Sequence, residues 1–223
     1  MLRKYQKINL IIKINMIRAL GKNKKEKRPK NDFYCTPFSL TWLLADKYDL
    51  SHVWEPACGK GSIVNPLKKI GVVVEASDID PKFDPLGISR QFFEFTEKLS
   101  DTIISNPPFS LWDLFIFQAK MLDVKRIIYI GKTDYFSADG RSKSGIWNNL
   151  RHVNIFNRKV DYQTPYREDG LFCVGAMTSA WFVWDKGYTG KPTIDIMNVQ
   201  PYAKLGAFKN GYNSKTESTE QKN

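Results

Sequence analysis

The chain has 223 residues, of which 42% are hydrophobic and 13% aromatic. This length suits one domain with a full core, and the composition excludes a disordered protein. The formal charge of +11 is uneven, because eleven of the 34 Lys and Arg residues but one of the 23 acidic residues fall within residues 1–30. The remaining body is therefore nearly neutral. A cationic arm of this kind raises affinity for phosphate backbones without reading sequence, although a solvated tail has the same composition.

Residues 8–20 form the stretch whose apolar content could suggest a membrane segment. Lys13, Asn15 and Arg18 interrupt it, and it falls short of the roughly 20 apolar residues that a spanning helix needs. The same charges argue against a signal peptide, so a short amphipathic helix is the better interpretation. We therefore expect a cytoplasmic protein that engages no membrane.

The cysteines and histidines are too scattered for a disulfide framework or a metal centre. Cys35, Cys58 and Cys173 are widely separated, and His52 and His152 are the two histidines of the chain. Paired spacings of the zinc-site kind are absent from the sequence. We therefore expect no metal.

Short β-rich runs alternate with helical patterns along the chain. The strand candidates are 52–55, 72–76, 103–105 and 126–130, and the helix candidates are 62–69 and 111–122. This alternation indicates βαβ units and a parallel sheet with helices on both faces. The predicted organisation is a basic, flexible arm at 1–30, a folded domain at 31–205 and a polar, disordered tail at 206–223.

The pattern changes from residue 153 onward. Strand candidates lie at 153–156, 172–174 and 181–184, and no long helix separates the last two. This arrangement predicts an antiparallel hairpin that closes the sheet. The predicted fold class is therefore α/β, with a mostly parallel sheet and a C-terminal antiparallel hairpin.

A glycine-containing turn, called the glycine turn below, follows the first predicted strand. It comprises Glu55, Pro56, Ala57, Cys58, Gly59, Lys60 and Gly61. The glycines permit a tight turn and let backbone N–H groups approach a ligand closely. The spacing matches neither a phosphate-binding P-loop nor the dinucleotide fingerprint. The acidic residue before the turn would repel a pyrophosphate but could hold a ligand ammonium.

Two acids, Asp78 and Asp80, end the second predicted strand, with Ile79 between them. A carboxylate at this place suits the ribose hydroxyls of a nucleotide. Either this feature or the glycine turn, taken alone, is compatible with an ordinary helix-capping turn. Together, in this order and spacing, they favour a ligand-binding edge of the sheet.

The NPPF motif (residues 106–109) lies between a short apolar strand candidate and the start of a helical pattern. Two prolines fix φ there and keep the residues before them out of the helical region. A corner of this kind would hold the Asn106 amide, the next carbonyl and the Phe109 ring in one orientation. A planar group with an exocyclic –NH2 could bind to these two acceptors and this ring, although a proline-rich turn is the simpler alternative.

These motifs together resemble those of class I S-adenosylmethionine-dependent methyltransferases of the N6-adenine kind. The glycine turn resembles the cofactor loop of that family, residues 78–81 its ribose-binding strand end, and the NPPF motif its catalytic motif. Residues 32–37 (Asp-Phe-Tyr-Cys-Thr-Pro) resemble its N-terminal motif, which packs over the methionine end of the cofactor. The motif order resembles the gamma arrangement, and small phage-type DNA adenine methyltransferases are the most similar group.

The resemblance implies a Rossmann-like class I methyltransferase fold, S-adenosyl-L-methionine as the cofactor and methyl transfer to N6 of adenine in DNA. It implies a nucleic acid, DNA first, as the partner, and the host cytoplasm as the location if a phage encodes the chain. It assigns catalysis to Asn106, Pro107, Pro108 and Phe109. It assigns cofactor binding to Tyr34, Thr36, Pro37, Glu55, Pro56, Ala57, Cys58, Gly59, Gly61, Asp78, Ile79, Gln91, Phe92 and Asn106.

Two features depart from the family pattern. The family usually has Asp-Phe or Asp-Leu at the end of its third strand, whereas this chain has Gln91-Phe92, where Gln91 could still accept through its carbonyl. Residues 132–170 are the one sizeable insert-like region, which leaves little room for a target-recognition domain. The same motif also serves RNA adenine and protein glutamine methyltransferases. A catalytically silent nucleic-acid-binding protein is the alternative from another class.

Overall fold

A computed structural model describes residues 35–85, 89–162 and 175–199. The helices within these ranges are α1 (Phe38–Lys47), α2 (Val64–Lys69), α3 (Trp112–Met121) and α4 (Asp139–Ser144), with 3-10 turns at Phe92–Glu94 and Thr133–Ser137. The strands are β1 (His52–Glu55), β2 (Val73–Ala76), β3 (Thr102–Ser105), β4 (Arg126–Lys132), β5 (Leu150–Phe156), β6 (Ser179–Asp185) and β7 (Thr193–Met197). The predicted arm, the tail and the strand candidate at 172–174 lie outside the described residues.

The strands form one sheet in the order β2-β1-β3-β4-β6-β5-β7. Strands β1 to β4 are mutually parallel, β6 runs antiparallel to both β4 and β5, and β7 returns parallel to β5. The mostly parallel sheet with a C-terminal antiparallel hairpin is therefore confirmed. The outer strand β7 and the helices α1 and α4 are additions that the sequence pattern did not predict.

The third strand that the resemblance implies has no counterpart between β2 and β3 in residues 77–85 and 89–101. Gln91 instead begins a 3-10 turn, where its backbone N–H donates to Glu94 Oε2 at 3.2 Å. Phe92 and Phe95 are buried, and their rings meet the Trp54 indole edge-on at 5.2 and 4.8 Å between centroids. Aromatic packing thus holds this segment on the sheet face.

Each face of the sheet is covered by helices, as the alternation predicted. One face carries Trp54, Ile103 and Phe182 and packs against α3. The other face carries Val53, Ile104 and Trp181 and packs against α1 and α2. Alternate residues of one strand point to opposite faces, so both faces are apolar in the central strands.

The carboxyl ends of β1, β2, β3 and β4 meet at one edge of the sheet, because these strands are parallel. Glu55, Ala76, Ser105 and Lys132 are their last residues. The glycine turn and the NPPF motif follow β1 and β3 at this edge. Within the described ranges, no helix combines the length and apolarity that crossing a lipid bilayer requires.

Candidate active site

The glycine turn is closed by backbone hydrogen bonds to the end of β2. The Cys58 N–H donates to the Ser77 carbonyl at 3.1 Å, and the Ser77 N–H donates to the Glu55 carbonyl at 3.0 Å. Gly59 and Gly61 have φ of 48° and 78°, a region that L side chains rarely adopt. A Cβ on Gly61 would also lie 2.9 Å from Asn65 Nδ2. The path of this turn therefore requires glycine.

The carboxylate of Asp78 organises the turn. One oxygen accepts from the Gly59 N–H and the other from the Asp80 N–H, both at 2.8 Å. Burial raises the pKa of Asp78, while these two bonds act in the opposite direction. Each carboxylate oxygen has further lone-pair capacity, so Asp78 can hold the turn and still accept from a ligand hydroxyl.

Glu55 links the glycine turn to the NPPF motif. Its Oε1 accepts from the Ser105 hydroxyl at 2.6 Å, and Ser105 directly precedes Asn106. Among the described residues, Glu55 Oε2 has no hydrogen-bond partner, and neither has the nearby buried hydroxyl of Tyr129. Burial raises the pKa of Glu55 well above its usual range. A buried carboxyl oxygen is thus available for a ligand donor.

Cys58 has the environment of a packed residue. Its thiol donates to the Phe83 carbonyl at 3.2 Å, and burial raises its pKa to about 12. A thiol that stays protonated is a weak nucleophile. Cys58 therefore contributes its backbone to the turn, and its sulfur is inert.

The NPPF motif is held by the start of α3. The Leu111 N–H donates to the Pro108 carbonyl at 2.8 Å, and the Trp112 indole N–H donates to the Ile130 carbonyl of β4, also at 2.8 Å. Gly131 lets the indole approach, because a Cβ there would lie 2.7 Å from the Trp112 ring. The corner predicted from the two prolines is thus fixed to the neighbouring strand.

Phe109 is half-buried between an aromatic ring and a cation. The edge of Tyr162 packs against it at 6.2 Å between centroids and 84° between planes. The Tyr162 hydroxyl is fixed by Ser179 Oγ at 2.7 Å. On β4, the Lys132 Nζ lies 5.5 Å from the centroid of the Phe109 ring.

The N-terminal motif reaches the same corner. The Cys35 N–H donates to the Tyr162 carbonyl at 3.0 Å, and Thr36 and Pro37 are buried directly before α1. Tyr34 lies outside the described residues. The start of this motif is thus bonded to Tyr162, the residue whose ring packs against Phe109.

Phe92 packs on the sheet face that carries Trp54, and Gln91 directly precedes it. Gln118 of α3 donates to the carbonyls of Phe92 and Phe95 at 3.3 and 2.9 Å. The Phe92 ring itself points into the core, 4.9 Å from that of Phe115. Ile79 is 46% exposed after β2 and can border a ligand.

The sequence motifs therefore converge on one sheet edge, and the structure adds partners that no motif contains. Ser77 and Ser105 could have been found, because Ser77 directly follows β2, Ser105 ends β3, and each is next to a predicted site residue. Tyr162 carries no such signal, since it meets Phe109 through the fold. Pro56, Pro107 and Pro108 shape the two corners and offer no side-chain donor.

No protein-family model matches the chain, and no curated protein matches it in sequence. Among solved structures, it is similar to a putative RNA methyltransferase from Pyrococcus horikoshii, with a TM-score of 0.53 and 18% identity over 75% of this chain and 96% of that chain. A dimethyladenosine transferase from Plasmodium falciparum gives a TM-score of 0.47 at 14% identity, covering 69% of this chain and 62% of that one. The first similarity, with the strand order above, identifies the fold as the Rossmann-like fold of methyltransferases.

Proposed function

We propose that the chain is an S-adenosyl-L-methionine-dependent methyltransferase that methylates the exocyclic N6 of adenine in DNA. The observation that carries this proposal is the 2.6 Å hydrogen bond from Ser105 to Glu55. It joins the last residue before the NPPF motif to the acid that opens the glycine turn. The proposed cofactor site at the glycine turn and the proposed amine-binding site at the NPPF motif are therefore joined by one buried hydrogen bond.

The residues of the glycine turn fit this cofactor. Glu55 Oε2 is a suitable acceptor for an ammonium group, whose positive charge would favour the ionised carboxylate over the neutral form that burial favours. Asp78 stands where ribose hydroxyls would bind. Gly59 and Gly61 carry no Cβ atoms, so a ligand could approach the backbone of the turn closely at these two positions. When bound, S-adenosylmethionine supplies an activated methyl group on its sulfonium.

The NPPF motif would prepare the target nitrogen. The lone pair of adenine N6 is delocalised into the ring, which makes it a poor nucleophile. If Asn106 Oδ1 and the Pro107 carbonyl accept its two N–H bonds, the nitrogen is steered toward tetrahedral geometry and its lone pair is released. Phe109 would stack on the base, a contact worth about 1–3 kcal/mol. The protein thus contributes mainly alignment.

DNA is favoured over protein as the substrate because of charge. The arm at residues 1–30 holds eleven Lys and Arg residues and one acid. Such an arm binds a phosphate backbone with little regard to sequence. A base inside a duplex would have to flip out, or be presented in single-stranded form, to reach Phe109.

Transfer of a tritiated methyl group to DNA, RNA and protein pools, measured side by side, tests the substrate. We expect label in DNA, released on nuclease digestion as N6-methyl-2′-deoxyadenosine. Label in glutamine or in RNA alone would contradict the DNA proposal. If calorimetry detected no binding of S-adenosylmethionine at millimolar concentration, the proposal that the chain is a methyltransferase would be refuted.

The Asn106→Ala variant tests the role of the corner. It should abolish transfer while leaving cofactor affinity close to wild type, because Asn106 would act on the target amine. Asn148→Ala is a matched control, since Asn148 is exposed in the turn directly before β5, at the opposite edge of the sheet. Equal loss of transfer and cofactor affinity in Asn106→Ala would assign it a purely structural role.

A further inference from the structure

Lys132 differs from the other cations of the sheet in what it contacts. It ends β4 opposite Ser179 of β6, at the same edge as the NPPF motif. Among the described residues no carboxylate forms an ion pair with it, whereas Arg126 is paired with Asp185. Its ammonium instead lies 5.5 Å from the centre of the Phe109 ring.

The surroundings of Phe109 make this lysine a built feature of the corner. Tyr162 packs edge-on against Phe109, and its hydroxyl is bonded to Ser179, the register partner of Lys132. Phe109, Tyr162, Ser179 and Lys132 are therefore linked to one another by these contacts. Glu55 and Asp78 lie at the glycine turn. Among the described residues no ion pair joins a carboxylate to Lys132, although Asp134 is close to it in sequence and Asp161 directly precedes Tyr162.

From these contacts we propose that Lys132 binds a backbone phosphate of the strand that carries the target base. This inference rests on the proposed function, because it assumes that a flat base stacks on Phe109. Such a base brings the phosphates of its own strand beside the ring, whereas a glutamine side chain brings no anion. An ammonium without a carboxylate partner at this place selects a polynucleotide over a protein amide.

The Lys132→Gln variant of the full chain tests this assignment by binding, with Lys132→Arg as the conservative variant. The probe is a fluorescein-labelled thymidine oligomer with one central deoxyadenosine, followed by fluorescence anisotropy over a salt series. Lys132→Gln should weaken binding about 10-fold to 100-fold and lower the salt slope by about 0.7–0.9. Lys132→Arg should keep most of the affinity. Lys186→Gln is the matched control, because Lys186 pairs with Asp123 at the opposite edge.

Neutral methylphosphonate linkages locate the phosphate. A methylphosphonate on one side of the adenosine should cost the wild type the same factor as Lys132→Gln, and should cost that variant nothing further. Wild-type affinity and salt slope in Lys132→Gln, or losses equal to those of Lys186→Gln, would overturn the assignment. Binding decides this independently of turnover, so a wild-type chain that transfers no methyl group would count against the proposed function alone.

Discussion

The Asp78 carboxylate offers the sharpest test of how the site is built. It is 7% exposed, and it accepts two backbone N–H bonds at 2.8 Å, one from Gly59 in the turn and one from Asp80. The Asp78→Ala substitution removes both acceptors and leaves the donors without a partner. We therefore expect it to damage the turn itself, in addition to any loss of ligand contact.

The magnitude follows from the two bonds. Each hydrogen bond to a charged acceptor is worth about 1.5–3 kcal/mol, and removal of the carboxylate also relieves its burial, so we expect a loss of about 3 kcal/mol in the free energy of unfolding. Asp78→Asn keeps one oxygen acceptor but turns an N–H2 group toward the other donor. Its loss should be about half that of the alanine variant.

Urea unfolding followed by tryptophan fluorescence measures the stability, and calorimetry measures cofactor affinity. Asp80→Ala is the matched control, because Asp80 accepts one bond, from the Lys82 N–H at 3.0 Å, in an exposed turn. If Asp78→Ala were as stable as Asp80→Ala but did not bind the cofactor, the role of Asp78 in stabilising the glycine turn would be refuted. The carboxylate would then act on the ligand alone.

Three other substitutions test charge and packing. Burial holds the pKa of Glu55 above its usual 4.5, so the free energy of unfolding of the wild type should fall as pH rises through that raised pKa. Glu55→Gln should remove this pH dependence in urea unfolding. The same pH dependence in the wild type and the variant would contradict a buried neutral carboxyl. Gly131→Ala should lower the free energy of unfolding, measured by thermal melting, by about 1–3 kcal/mol, because the added Cβ would overlap Trp112. Gly140→Ala is the control, because no atom lies within 4 Å of a Cβ at that position. Equal melting temperatures for the two variants would count against the overlap. Burial opposes ionisation of Asp185, but bonds from two arginines hold its pKa below 3.8, so the wild type should lose stability as pH falls through that pKa. Asp185→Asn should lack this acid-induced loss, and wild-type acid sensitivity in the variant would refute the pairing.

The central strands, and the sheet edge that carries the candidate site, were predictable because apolar runs there are followed directly by turn-forming glycine or proline residues. Strands at 52–55 and 103–105 end at Glu55 and Ser105, where a turn with glycine or proline follows. Parallel strands bring such ends together whatever the details of the loops. The glycine turn, Asp78 and the NPPF motif could therefore be placed at one edge from the sequence.

The remaining features depend on contacts between distant residues. Strand β7 pairs in parallel with β5 through backbone hydrogen bonds. Its Ile194 and Ile196 side chains are 68% and 60% exposed, so no alternation of buried and exposed residues marks this strand in the sequence. In residues 77–85 and 89–101 the strand that the family resemblance implies between β2 and β3 is absent, and a 3-10 turn packs the rings of Phe92 and Phe95 on Trp54 instead. Local propensity carries no information about such partners.

The segment at 91–95 differs from the strands in how it can open. Its carbonyls are held by Gln118, and Phe92 and Phe95 are held by ring contacts, whereas each central strand is bonded to a neighbour on both sides. Amide protons of the ladder should exchange with solvent only when the whole sheet unfolds, while those of 91–95 should exchange through local opening. If Gln91 contacts the cofactor, as the family resemblance implies, binding should slow exchange in this segment more than in the central strands. Hydrogen exchange would show occupancy there first.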